Sequence, residues 1–302
     1  MEKIEELSKR IVNYSLEINK DDKVLITYQS QLCNDLVIGI IKEIKNIGAV
    51  VNTKLIDPVI NKELMLTTNE KRAELMGNYS KFEVEHYTAF VQIRYALNDY
   101  EDSDVSSELR NLISKYTRKY GEIRINERKW VLLNYPSPLD AYKAHQSIDK
   151  FKEYALDAMI TNYDDLNERM KPLKELMEKT DKVRIVGPNT DINFSIKNIP
   201  IIPCCGKSNL PDGEIFTAPI KNSVNGKITY NTPSPYHGSI FNNVSLELKD
   251  GKIINATCDG DDKLLKEIFN TDDGSRYIGE FSLGLNPNIL YPIGDILFDE
   301  KI

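Results

Sequence analysis

The sequence predicts a two-part chain: an α/β domain with a mostly parallel sheet over residues 1–180, then an α+β domain over residues 181–302. Three observations point there. In the first half, short apolar runs alternate with stretches whose apolar residues recur every three or four positions. Near Thr180 the texture changes to closely spaced strands divided by turns such as Gly187-Pro188 and Asp250-Gly251. And 302 residues exceed what one hydrophobic core ordinarily holds.

Residues 1–20 read as a helix, because Ile4, Leu7, Ile11, Tyr14 and Ile18 share one face. Val24 to Tyr28 follows as a strand. A helix over 33–46 stops before Gly48, a C-cap residue type. Ala49 to Ile56 is the next strand, closed by Asp57-Pro58, and strand–helix–strand order implies parallel pairing through a crossover. Residues 59–90 are mostly helical and Ala89 to Tyr95 is a third strand. The helix over 105–118 is capped by Asp104 or Ser106. Trp130 to Leu133 is a buried strand stopped by Tyr135-Pro136-Ser137-Pro138, and 139–180 reads as helices. Beyond a boundary near 181, strands are expected at 182–186, 191–196, 227–231, 243–248 and 252–257. A helix at 261–269 and a strand at 277–283 complete the domain.

Composition removes several classes of function. With 39 basic against 46 acidic residues and a net charge of −7, no general nucleic-acid binding is expected. The longest apolar stretch, Leu36 to Ile41, is too short for a membrane span, and the N-terminus has no signal pattern. A cytoplasmic location is the expectation. Cys33, Cys204, Cys205 and Cys258 lack the spacing of a thiolate zinc site or a disulfide framework. Motifs of nucleotide loops, zincins and serine hydrolases are absent. Of the three histidines, His86 and His145 read as packing or surface residues, while His237 lies in a loop and is a candidate for a site role. Asp259, Asp261 and Asp262 suit a helix start.

Two carboxylates stand out from the residues alone. Pro211-Asp212-Gly213 is a turn that delivers Glu214 into an apolar Ile215-Phe216 pair. Glu280 interrupts the apolar run of Tyr277 to Leu283, a position that is costly for a charge unless it is paired or bound to metal. A third carboxylate, Glu300, lies in Phe298-Asp299-Glu300-Lys301.

These segments resemble the metalloaminopeptidases of the aminopeptidase S and aminopeptidase T type, the thermophilic metalloprotease family. The resemblance runs through 130–138, 211–219, Asn222-Ser223-Val224-Asn225-Gly226, 228–234, 246–253, 271–280, Asn286-Pro287 and 295–301, and is weaker before 129. It implies a hydrolase with two divalent metal ions (Zn²⁺, Co²⁺ or Mn²⁺) that removes residues from the free N-terminus of peptides, as a homodimer. By the same resemblance Glu214 ligates one ion, Glu280 bridges both, and Glu300 is a further ligand. The family's remaining ligands, two His and one Asp, and a site tyrosine follow the Phe-Asp-Glu-Lys segment, and none of His86, His145 or His237 matches them. The expectation is therefore a piece of a longer enzyme with little turnover of its own, the rival being an inactive homologue that serves as a binding or interaction module. A missing segment would leave some of Ile289, Leu290, Ile293, Ile296, Leu297 and Phe298 exposed as a contiguous apolar patch.

Overall fold

The computed structural model of the chain describes residues 2–236 and 239–302, so His237 lies outside the described residues. In chain order the helices and strands are α1 (Glu2–Lys9), β1 (Lys23–Tyr28), α2 (Asn34–Ile47), β2 (Val50–Leu55), α3 (Pro58–Leu66), α4 (Glu70–His86), β3 (Ala89–Arg94), α5 (Ser107–Glu127), β4 (Lys129–Asn134), α6 (Pro138–Lys143) and α7 (Ile148–Met159). They continue with α8 (Tyr163–Lys179), β5 (Lys182–Gly187), β6 (Thr190–Ser195), β7 (Ile202–Cys204), β8 (Asn209–Leu210), β9 (Glu214–Thr217), β10 (Asn225–Thr229), β11 (Ser234–Tyr236), β12 (Ser239–Lys249), β13 (Lys252–Asp259), α9 (Asp262–Ile268), β14 (Phe281–Gly284) and α10 (Ile296–Asp299).

Two compact units result: Met1–Thr161 with Gly206–Asp212, and Asn162–Cys205 with Gly213–Ile302. The division thus falls at Thr161, not near 181, because α8 packs with the strands C-terminal to it. Met177 of that helix is buried in one cluster with Ile192, Phe194, Leu246 and Leu248, and Leu173 packs against the same cluster.

The first unit is built on a parallel sheet in the order β2-β1-β3-β4, with the short β8 added in parallel on β4. Buried Val24, Ile26, Val91, Ile93, Val131 and Leu133 line its strands. The apolar stripe of α1 continues through a π-helical turn, Arg10–Ser15, which keeps Leu7, Ile11 and Val12 buried. α2 ends where Gly48, at φ +85°, folds its N–H back onto the Ile44 and Lys45 carbonyls, a left-handed cap that glycine adopts without strain. Ser106 caps α5, which runs on to Glu127, beyond the expected stop at 118. No proline interrupts residues 118–127, so nothing breaks the hydrogen-bond ladder there.

The second unit has a six-stranded antiparallel sheet, β11-β12-β10-β6-β5 with β13 also on β12, and a three-stranded sheet in the order β14-β9-β7. The strand expected at 277–283 begins only at Phe281; Tyr277 makes an isolated bridge to Lys252. Glu280 therefore precedes the strand and does not interrupt it. Of the six apolar residues near the end, Ile289, Ile293, Leu297 and Phe298 are buried, and Leu290 and Ile296 are exposed. The cause is Asp299, whose carboxylate accepts the N–H groups of Ile293 (2.7 Å) and Gly294 (2.9 Å) and folds the preceding loop back over α10. Among the described residues no helix is long and apolar enough to cross a membrane, and no cysteine forms a disulfide.

Candidate metal centre

β9 is the central strand of the small sheet, and Glu214 is its first residue. Its backbone lies opposite Cys204 of β7 and Gly284 of β14. The residue before it, Gly213, has φ +121°, and a Cβ there would meet Leu166 and Asn286 at 3.0 Å. Glycine is therefore required to turn the chain into the strand. The Leu285 N–H donates to the Gly213 carbonyl (2.7 Å), which ties this turn to the far end of β14. The side chain of Glu214 is consequently held in the interior, with only 6% of the residue exposed.

The other wall is the C-terminal segment. The N-cap Asp295 starts α10 by accepting the Leu297 N–H, Leu297 and Phe298 anchor the helix, and Glu300 is its C-cap. The Asn286 N–H donates to the Lys301 carbonyl (2.9 Å), which draws the segment against the end of β14. That approach is so close that a Cβ on Gly284 would collide with the backbone of Lys301 and Ile302.

Glu214, Glu280 and Glu300 are brought together: each offers a carboxylate oxygen within 4.8 Å of the others. Glu280 is exposed, Glu300 is half-buried and Glu214 is interior, so the cluster opens to solvent on one side. Sequence reasoning missed the fourth member, Lys301. It is fully buried, and its ammonium donates to Glu214 Oε1 (2.7 Å) and to Glu300 Oε1. Glu214 Oε2 is buried and has no hydrogen-bond partner.

Electrostatics follow from this count of charges. Burial raises the pKa of Glu214, the nearby Glu300 and Glu280 raise it further, and Lys301 only partly offsets them. Glu280 is likewise raised, by desolvation and then by Glu300. Burial alone would lower the pKa of Lys301, but its bonds to Glu214 and Glu300 raise it overall, so it stays an ammonium. Three carboxylates against one cation leave an excess of negative charge around an orphaned buried oxygen. Such a group is costly unless a further cation satisfies it. Oxygen ligands around a divalent cation, each about 2.1 Å from it, stand at most about 4.2 Å apart. A separation of up to 4.8 Å would need only a small inward movement. The donor set fits a divalent ion.

His86 is not near such a cluster. It stacks on Phe82 at 4.0 Å and its Nδ1 bonds the Phe82 carbonyl, a packing role. His145 sits in a left-handed turn conformation (φ 55°) after α6. Asp261 caps α9, accepting the N–H groups of Lys263 and Leu264, as its sequence position implied.

An interior carboxylate with a vacant oxygen, flanked by two more carboxylates, places this chain among proteins with a candidate divalent-metal site on an α/β plus α+β scaffold. The chain belongs to the thermophilic metalloprotease (M29) family, whose profile matches residues 1–302. It is 37% identical over 76 residues to aminopeptidase AmpS of Bacillus subtilis, covering 25% of this chain and 18% of that protein. It is 23% identical to aminopeptidase PepS of Streptococcus thermophilus over 344 aligned positions, covering 99% of this chain and 82% of that one. The first of these matches thus spans less than a fifth of its relative's length. The fold is shared with wild-type AmpT from Thermus thermophilus: TM-score 0.78 at 18% identity, over 99% of this chain and 83% of that structure.

Proposed function

We propose that the protein is a metal-dependent aminopeptidase and that Glu214, Glu280 and Glu300 are its carboxylate ligands. The observation that carries this reading is the orphaned Glu214 oxygen inside the three-carboxylate cluster, in a chain of a metallopeptidase family. Glu214 would hold one ion, Glu280 would bridge two, and Glu300 would add a further oxygen. Zinc, cobalt and manganese all accept such donors, and bound ions of this kind polarise a scissile carbonyl and lower the pKa of a water. The protein's own part is to fix the ligands. β9 sets Glu214, the start of β14 sets Glu280, and the Asp299-anchored end of α10 sets Glu300. The open side of the cluster, where Glu280 is exposed, is where a peptide N-terminus would enter. The substrates are peptides with a free N-terminus, the location is the cytoplasm, and the assembly is a homodimer. Support for the dimer is the outer surface of the first unit: α3 buries none of its residues and exposes Val59, Ile60 and Leu64, and α4 exposes Leu75, Tyr79 and Phe82.

Among the described residues no histidine stands with the three carboxylates. Imidazoles supply much of the affinity of a zinc site. Turnover by these 302 residues is therefore expected to be low, and metal binding is the more sensitive readout. Equilibrium titration with Zn²⁺, Co²⁺ and Mn²⁺ should show binding that Glu214→Gln and Glu280→Gln each weaken by at least about tenfold. Leucine p-nitroanilide and leucyl dipeptides are the substrates to assay, with N-acetylated peptides as the control. Binding indifferent to both substitutions, or cleavage of the acetylated control, would defeat the reading.

A further inference from the structure

We propose that Lys301 is a built-in counter-ion of this centre, which stands in for a metal ion when none is bound and weakens the hold on the ion that replaces it. The inference rests on the metal-centre reading above and adds a function for a residue outside the ligand set.

The placement of Lys301 is the first argument. A lysine is almost never wholly interior unless it is paired. Here the residue has no exposed surface, and its ammonium lies against one oxygen of Glu214 and one of Glu300. Side-chain packing alone does not select an ammonium at such a position, because an apolar side chain of similar length would fill the space without desolvating a charge. Backbone geometry is committed to the same end. Gly284 lets the Lys301–Ile302 backbone pass directly over β14, and the Asn286 N–H holds the Lys301 carbonyl at 2.9 Å.

The second argument is the division of labour at Glu214. Lys301 takes Oε1 and leaves Oε2 buried and without a partner, beside a cluster in which Glu280 and Glu300 also offer oxygens. One carboxylate is thus shared between a permanent cation and an exchangeable one. Without metal, the ammonium keeps three converging carboxylates from repelling the centre apart. With metal, the ammonium and the divalent ion draw on the same negative charge and repel each other, all the more strongly because no solvent reaches Lys301.

Two consequences of removing the ammonium oppose each other. Loss of orientation at Glu214 should weaken metal binding by about 10–100-fold, as for other groups that orient metal ligands. Loss of a buried positive charge beside a divalent ion strengthens binding, and the charge effect is the larger at close range in a water-poor interior. Lys301→Met should therefore bind Zn²⁺ and Mn²⁺ at least about tenfold more tightly than the unchanged chain. Its metal-free form should unfold at a clearly lower temperature, and its metal-loaded form should recover most of that loss, as linkage requires of an ion that binds only the folded state.

The experiment is isothermal titration of the unchanged chain and of Lys301→Met with each ion, paired with thermal unfolding at zero and saturating metal. Tighter binding with metal-restored stability supports the counter-ion. Equal losses of stability with and without the ion, and equal affinities, would mean that Lys301 only packs, and weaker binding by Lys301→Met would mean that it builds the site; both overturn the inference. If Lys301→Met does not fold alone, it is refolded with and without Zn²⁺. Native circular dichroism recovered only with the ion supports the proposal, and failure under both conditions overturns it. An unchanged chain that binds no ion defeats the metal-centre reading itself, which is a different result from a binding chain whose affinity Lys301→Met leaves untouched.

Discussion

Gly284 has room for a hydrogen and nothing larger, because the Lys301–Ile302 backbone lies where a Cβ would project. Gly284→Ala should cost about 1–3 kcal/mol, the usual range for forcing a methyl group into a packed site. It should also weaken metal binding, since the proposed ligand Glu300 rides on the displaced segment; denaturant unfolding and ion titration check the two effects. In the first unit, Asp22 is a residue whose charge supports the fold. It is buried, and its carboxylate accepts the Asn19 N–H (2.9 Å), the Thr88 hydroxyl (2.7 Å) and the Lys129 ammonium (2.7 Å). Burial alone would raise its pKa, but these three donors lower it below the usual value. A depressed folded-state pKa means that the stabilisation is complete above the unfolded value, about 3.9, and is lost as pH falls through the folded one. Asp22→Asn should cost about 2 kcal/mol at neutral pH, the scale of hydrogen bonds to a charged group. Urea midpoints of the two proteins should then converge as the pH is lowered below about 4. A gap that stays constant with pH would show that Asp22 acts without its charge.

Elements whose ends carry their own chemistry were readable from the sequence. Gly48 closes α2 and Ser106 opens α5 because those residue types satisfy backbone groups that a helix end leaves unpaired. α6 carries the same chemistry, although in the sequence Ser137 reads only as part of the stop after a strand. Ser137 and Asp140 form a reciprocal capping box, with the Asp140 N–H donating to Ser137 Oγ (3.2 Å) and the Ser137 N–H donating to Asp140 Oδ2 (3.2 Å). Both residues are buried, so Ser137→Ala should destabilise the protein by about 1–2 kcal/mol, measurable by chemical denaturation. The strands β7, β8, β9 and β11 were not readable. At two to four residues each they are too short to show a period of two, and tertiary pairing alone makes them strands. The same is true of the four-residue α10. As for the centre, the turn before Glu214 and the odd setting of Glu280 were visible, but their union with Glu300 came from a family resemblance, not from any periodicity. Lys301 gave no signal. A buried lysine reads like any other lysine until the fold shows which carboxylates close over it.

The net charge of the whole chain is −7, and the second unit gathers three of its carboxylates in one cluster. The first unit contributes the exposed apolar side chains of α3 and α4. If they form a homodimer face, light scattering after size-exclusion chromatography should give twice the chain mass. Charged substitutions at Ile60 and Tyr79 should halve it, whereas a monomer at all concentrations would remove that role.

Connectivity adds a constraint that neither unit shows by itself. The backbone passes from one unit to the other at Thr161, again at Cys205, and again at Asp212. The seven residues Gly206–Asp212 are the loan that makes the first unit whole. Ser15 donates its hydroxyl to the Gly206 carbonyl (2.6 Å), Lys207 reaches the Tyr14 carbonyl (2.8 Å), and the Leu132 N–H donates to Ser208 (2.8 Å) where β8 covers the edge of β4. Scission at residue 161 would therefore not yield a self-sufficient half. The 1–161 fragment would bare a hydrogen-bonding strand edge and invite other strands onto it. Supplied again on a flexible glycine-serine tether, 206–212 should suppress that self-association.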